Sequence, residues 1–111
     1  MIHSHTLKIF LCLLLSVSSM AKDYTVADFG AKNDGITINT RTIQKAIDYI
    51  HEKGGGRLVF ETGTYVTGSI YLKSNVTLHL EQGATILGST NPFDYIKDKK
   101  IGWMSMIFAV N

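Results

Sequence analysis

The chain has 111 residues, 45% of them hydrophobic and 18% charged, with a formal charge of +2. That length fits one domain at most, and eleven Lys and Arg spread against nine Asp and Glu form no basic stripe of the kind a nucleic-acid partner requires. The single cysteine, Cys12, lies in the first apolar run, so no disulfide framework is on offer.

Residues 1–21 read as a secretory signal peptide. Lys8 and two histidines come first, 9–17 (IFLCLLLSV) is uniformly apolar, and Ser18, Ser19 and Ala21 supply small residues before a cut after Ala21. The apolar run is too short to span a bilayer, so no stable membrane span is expected. Removing it predicts an exported domain, residues 22–111, without cysteine, which burial alone must stabilise.

Residues 23–30 read as a first strand with Tyr24 and Val26 packing, and 31–35 as a turn in which Asn33-Asp34-Gly35 invites an Asx corner. Asp28, Asn33 and Asp34 miss the spacing of a Ca²⁺ loop, and no metal or other cofactor is expected. Over 39–53 the period changes: Ile43, Ala46, Ile47 and Ile50 make one apolar helical stripe. Asn39 or Thr40 is the expected N-cap and Gly54 the left-handed residue after the C-cap. Arg41, Lys45, Asp48 and Glu52 lie opposite and read as a solvated face. Such a helix suits the open end of a stacked β-core.

Between 54 and 89 come five short runs, 57–60, 64–66, 69–73, 76–80 and 84–87, separated by turn residues. Ile70 and Leu72 share a face, as do Val76, Leu78 and Leu80. No connection is a two-residue Asn-Gly or Asp-Gly loop. The turns read as corners of successive coils in a parallel β-helix, although period alone leaves a small meander open. Asn91-Pro92 marks a turn, 94–102 a loop leaving the stack, and 103–110 an apolar run that would need a neighbouring coil to cover it. The whole reads as the N-terminal piece of a longer solenoid.

Chemistry is sparse. Gly54-Gly55-Gly56 lacks the Lys-Ser/Thr of a phosphate loop and reads as a helix stop. His79 reads as a lone solvent-facing side chain, His51 as a complement to the helix dipole, and Asp94 with Asp98 as carboxylates lacking a third group. Asn75-Val76-Thr77 matches a glycosylation acceptor that a strand start explains equally. Lys97, Lys99 and Lys100 read as a solvated loop. Tyr24, Tyr65, Tyr71, Tyr95 and Trp103 suit core or edge packing better than a sugar-stacking platform.

Residues 24–89 resemble the N-terminal part of the family 28 glycoside hydrolases, the polygalacturonase group of the pectate-lyase-like β-helix superfamily. The resemblance rests on Val26-Ala27-Asp28-Phe29-Gly30-Ala31 with Asp34-Gly35 and the helix at 42–50; on Gly54-Gly55-Gly56 through Gly63-Thr64-Tyr65-Val66-Thr67-Gly68; and on 69–84, SIYLKSNVTLHLEQGA. Asn39 stands where that pattern more often has Asp, and Glu61-Thr62 replaces a Pro-containing turn. The resemblance implies a mainly β, right-handed parallel β-helix with a capping helix. It also implies inverting hydrolysis of pectin-type galacturonan by two carboxylates. The family's Asn-Thr-Asp, Asp-Asp, Gly-His-Gly and Arg-Ile-Lys segments do not occur here, so no catalytic residue is carried over, and those groups are expected beyond residue 111. A lyase or epimerase on the same scaffold, or a non-catalytic binding β-helix such as an adhesin, are the alternatives.

Overall fold

Gly56 pairs in parallel with Val76, twenty residues on, and that interval is one turn of a coil. The computed structural model describes residues 22–98 and 103–109, so the signal-peptide expectation on 1–21 and the loop 99–102 lie outside it. In chain order the elements are β1 (Asp23–Thr25), a 3-10 turn (Val26–Phe29), β2 (Asp34–Ile38), α1 (Thr40–Glu52), β3 (Gly56–Phe60) and β4 (Gly63–Thr67). There follow β5 (Ile70–Leu72), β6 (Val76–Leu80), β7 (Ala84–Gly88), a second 3-10 turn (Pro92–Asp94), β8 (Ile96–Asp98), β9 (Trp103–Ser105) and β10 (Ile107–Ala109).

Three parallel sheets, β1-β3-β6, β2-β4-β7 and β5-β10, form the sides of a right-handed parallel β-helix. Each strand hydrogen-bonds to its counterpart one coil away, which excludes the meander. The middle coil holds the core, because it is covered from both sides: Leu58, Phe60 and Ile70 are fully buried and Tyr65 nearly so. Phe60 and Tyr65 meet edge to face at 5.2 Å between ring centroids. In the third coil the inward row of β6 runs from buried Val76 to half-buried Leu78 and exposed Leu80.

Helix α1 takes the place that a strand would occupy on the third side of the first coil. Its apolar stripe, Ile43, Ala46, Ile47 and Ile50, is fully buried against the middle coil. A second, polar stripe lies against the free edge of β5. Thr40 Oγ1 accepts from Gly68 N–H at 2.7 Å. Gln44 accepts from Tyr71 N–H at 2.7 Å and donates to the Tyr71 carbonyl at 3.0 Å. Asp48 pairs with Lys73 at 2.8 Å, and His51 Nδ1 lies 2.9 Å from the Ser74 carbonyl. The Gln44 amide therefore acts as a one-residue strand, satisfying edge groups that burial would otherwise orphan.

Three sequence expectations need correcting. The first strand ends at Thr25, where the chain turns through 3-10 geometry so that Val26 enters the core and Gly30, at φ 100°, reverses direction. Residues 34–38, expected partly as turn, form β2 along β4. The expected loop after Asp94 contains an antiparallel hairpin, β8 with β9, after which β10 rejoins the stack beside β5. Asn39 is the N-cap residue, yet its side chain makes no capping bond. It is buried and clamps Lys32 instead, accepting from the Lys32 N–H at 2.9 Å and donating to the Lys32 carbonyl at 2.8 Å.

Candidate functional site

Stacked coils place side chains of successive strands in rows about 4.8 Å apart. On the outer face of the first sheet, Asp23 stands opposite Arg57 and His79 opposite Val59. Arg57 donates from Nε and Nη2 to the two Asp23 carboxylate oxygens, each at 2.8 Å, and its Nη1 lies 3.4 Å from His79 Nδ1. Hydrogen bonds from the guanidinium hold the Asp23 carboxyl below the usual carboxylate range. His79, read from the sequence as lone and solvent-facing, is thus half-buried and joined to Arg57. The sequence could not show this, because the contact requires knowing the coil length. The ladder is a fixed charged surface and holds no nucleophile beside a base.

A second cluster sits where the first sheet meets the second. Glu81 N–H donates to the Phe60 carbonyl at 3.0 Å, which sets Glu61 and Glu81 at the same corner of adjacent coils. They rim a cleft of about 280 Å³ with Asn33, Thr62 and Tyr65. Tyr65 O–H donates to the Glu61 carbonyl at 3.1 Å, and burial, then the Glu61 and Glu81 charges, push its phenol up. Both carboxylates are exposed.

At the capped end, Tyr49 of α1 meets Tyr24 at 5.9 Å and Phe29 at 5.7 Å between centroids. Tyr49 and Phe29 line two open clefts, one of about 650 Å³ and one of about 370 Å³. Neither residue stood among the aromatics weighed from sequence for sugar stacking. The available signal was Tyr49's place at the margin of the helical apolar stripe, three positions after Ala46.

The remaining sequence candidates are structural. Asp34 caps its own loop, accepting from Ile36 N–H at 2.9 Å, Thr37 N–H at 2.8 Å and Thr37 Oγ1 at 2.7 Å. Asn33 donates instead to the Thr62 carbonyl at 2.9 Å. Asp48, expected on a solvated face, is held by Lys73 and Gln44; burial works to raise its pKa, and those bonds outweigh it to lower it. Asp94 accepts from Ser89 Oγ, while Asp98 lies in β8. Tyr65 and Tyr24 pack on the core, and Tyr95 O–H donates to the Ser89 carbonyl at 2.6 Å. Among the described residues, no group of three or more His, Cys, Asp or Glu side chains is placed to hold a metal ion.

The profile of a family described as rhamnogalacturonase A/epimerase, pectate lyase-like, matches residues 24–100. An exo-poly-α-D-galacturonosidase of Dickeya chrysanthemi is 44% identical over 86 residues, covering 78% of this chain and 14% of the enzyme. The family 28 exopolygalacturonase of Yersinia enterocolitica superposes with a TM-score of 0.70 at 40% identity, over 83% of this chain and 17% of that one. A mannuronan C5-epimerase of Azotobacter vinelandii, AlgE1, is 42% identical over 62 residues, 49% of this chain and 4% of the epimerase. The chain therefore spans less than a fifth of the length of these relatives.

Proposed function

Because this chain belongs to the rhamnogalacturonase A/epimerase, pectate lyase-like family, we propose that it forms the cap and opening coils of an exported enzyme that hydrolyses pectin-type galacturonides. The observation that carries the reading is the 44% identity to a galacturonosidase over residues that the structure shows as the coil itself rather than as a detachable appendage. The polymer repeats along its length, and so does the scaffold.

In this reading one carboxylic acid protonates the leaving glycosidic oxygen while a second carboxylate activates water, the two about 6.5–9.5 Å apart. Asp23 is paired with Arg57, and Glu61 and Glu81 are exposed at a corner; in this reading the acid and base come from sequence outside these residues. The contribution of the present coils is register: they fix the first rungs from which later strands take their spacing. Residues 1–21 supply the export signal and are removed after Ala21.

The test is release of reducing ends from polygalacturonate by the full-length gene product that carries these coils. Products bearing an unsaturated sugar would replace hydrolysis by the lyase reading. Uronate inversion at C5 without chain cleavage would replace it by the epimerase reading, which the resemblance to the Azotobacter enzyme favours as the alternative. Binding without any turnover would leave a non-catalytic β-helix. The 111-residue chain alone is expected to release nothing above background, and turnover by it would place a catalytic pair within these coils.

A further inference from the structure

Tyr49 stands 43% exposed on a helix whose inward stripe is completely buried. Its ring joins Tyr24 and Phe29 into one edge-to-face strip across the capped end. Tyr49 and Phe29 form the wall shared by the two open clefts, so the strip is a ridge with a groove on each side. Lys22 Nζ lies 5.2 Å over the Tyr24 ring and Lys53 Nζ 5.4 Å over the Tyr49 ring. Arg41 and Lys45 line the larger groove. Of the nearby carboxylates, Asp23 and Asp48 are engaged by Arg57 and Lys73. Those two carboxylates line the grooves but are neutralised there, which leaves Lys22, Arg41, Lys45 and Lys53 against Asp28 and Glu52, a local excess of positive charge.

We propose that this ridge is a saccharide-binding site for an acidic sugar chain. The apolar C–H face of a pyranose lies on Tyr49, and the uronate carboxylates of sugars in the flanking grooves meet the cations. Aromatic faces attract both C–H edges and cations, and they carry little side-chain entropy to lose on binding. The acidic class of sugar rests on the galacturonide reading above; the ridge itself rests on the geometry of β1, the first 3-10 turn and α1.

The experiment titrates the chain carrying Leu80→Lys and Leu87→Lys, changes in the third coil that hold it toward monomer, with galacturonate oligomers and follows the ring protons of Tyr24, Phe29 and Tyr49 by NMR. Saturable shifts of these rings are expected, with fully methyl-esterified oligomers bound at least about tenfold more weakly. Tyr49→Leu keeps an apolar cover over Tyr24 and Phe29 but removes the aromatic face, and should weaken binding about tenfold. Phe93→Leu, at a ring 92% exposed in the third coil, should leave binding unchanged. Lys22→Met with Lys53→Met removes charge while keeping all three aromatic residues, and should weaken the acid form alone. Unshifted rings, equal affinity for Tyr49→Leu, or equal affinity for acid and ester would overturn the site. Binding without turnover by the full-length protein would remove the hydrolase reading and leave the ridge, whereas turnover without this binding would remove the ridge alone.

Discussion

Asn39 closes the capped end through a side chain that serves the backbone of the loop ahead of β2 and of β2 itself. Its three bonds, to the Lys32 N–H and the Lys32 and Thr37 carbonyls, are buried or half-buried. Asn39→Ala should therefore lower stability by about 2–4 kcal/mol, read as a shift in urea midpoint, since each net bond contributes about 1 kcal/mol and the abandoned groups lose their partners. Asp34 makes a pH-dependent contribution of the opposite character, exposed and local. Its carboxyl is lowered to about 2 by backbone and side-chain bonds from Thr37 and a backbone bond from Ile36. A depressed pKa stabilises the fold above the unfolded value of 3.8 and loses that contribution as pH falls from there toward 2. Asp34→Asn should flatten the acid limb of stability in that window, lowering stability at pH 7 and converging on the parent chain as pH falls toward 2. The Asx corner at Asp34 was legible because the donors to its carboxylate lie two and three residues away. The Asn39 clamp was not, because sequence identifies a capping residue without telling which way its side chain turns.

At the scale of the element, α1 is a helix with two working stripes and the sequence disclosed one. Ile43, Ala46, Ile47 and Ile50 announce a buried face by spacing alone. Thr40, Gln44, Asp48 and His51 follow the same spacing, yet polar residues at helical period look like a solvated surface until β5 is seen beside them. Gln44→Ala should cost about 1–3 kcal/mol, because it removes both hydrogen bonds that the Gln44 amide makes to the Tyr71 backbone. Gln44→Glu should cost more at pH 7, where a carboxylate faces the Tyr71 carbonyl, and should regain stability as that carboxylate is protonated. Chemical unfolding at pH 7 and pH 4 measures both. The 3-10 turn after Thr25 and the β8–β9 hairpin escaped sequence reading for a different reason. The turn and each strand of the hairpin are only three or four residues long, too short for any period to show.

The molecule as a whole is organised by register. Short apolar runs between Gly and Asn corners gave the strands nearly to the residue, but alternation has the same period in a hairpin and in a coil. Only the pairing of Gly63 with Ala84 and Ile70 with Ile107 decides between them. Beyond β6 and β7 no further strand is placed among the described residues, and Leu80 and Leu87 are 41% and 48% exposed there. The 111-residue chain is therefore expected to self-associate at micromolar concentration, and Leu80→Lys with Leu87→Lys should return it toward monomer in analytical ultracentrifugation. A last consequence follows from where the coils differ in length. Asp23 and Arg57 are thirty-four residues apart and Ile70 and Ile107 thirty-seven, against twenty for Gly56 and Val76. Both surpluses, α1 and the 89–106 excursion, leave from the end of a second-sheet strand; in the middle coil that exit is Gly68, where a Cβ would collide with the Asp94 carbonyl. Foreign peptides spliced into the first or third exit should ride outside the spiral like baggage on a roof rack, while the same cargo between Leu72 and Val76 would throw every later winding out of step.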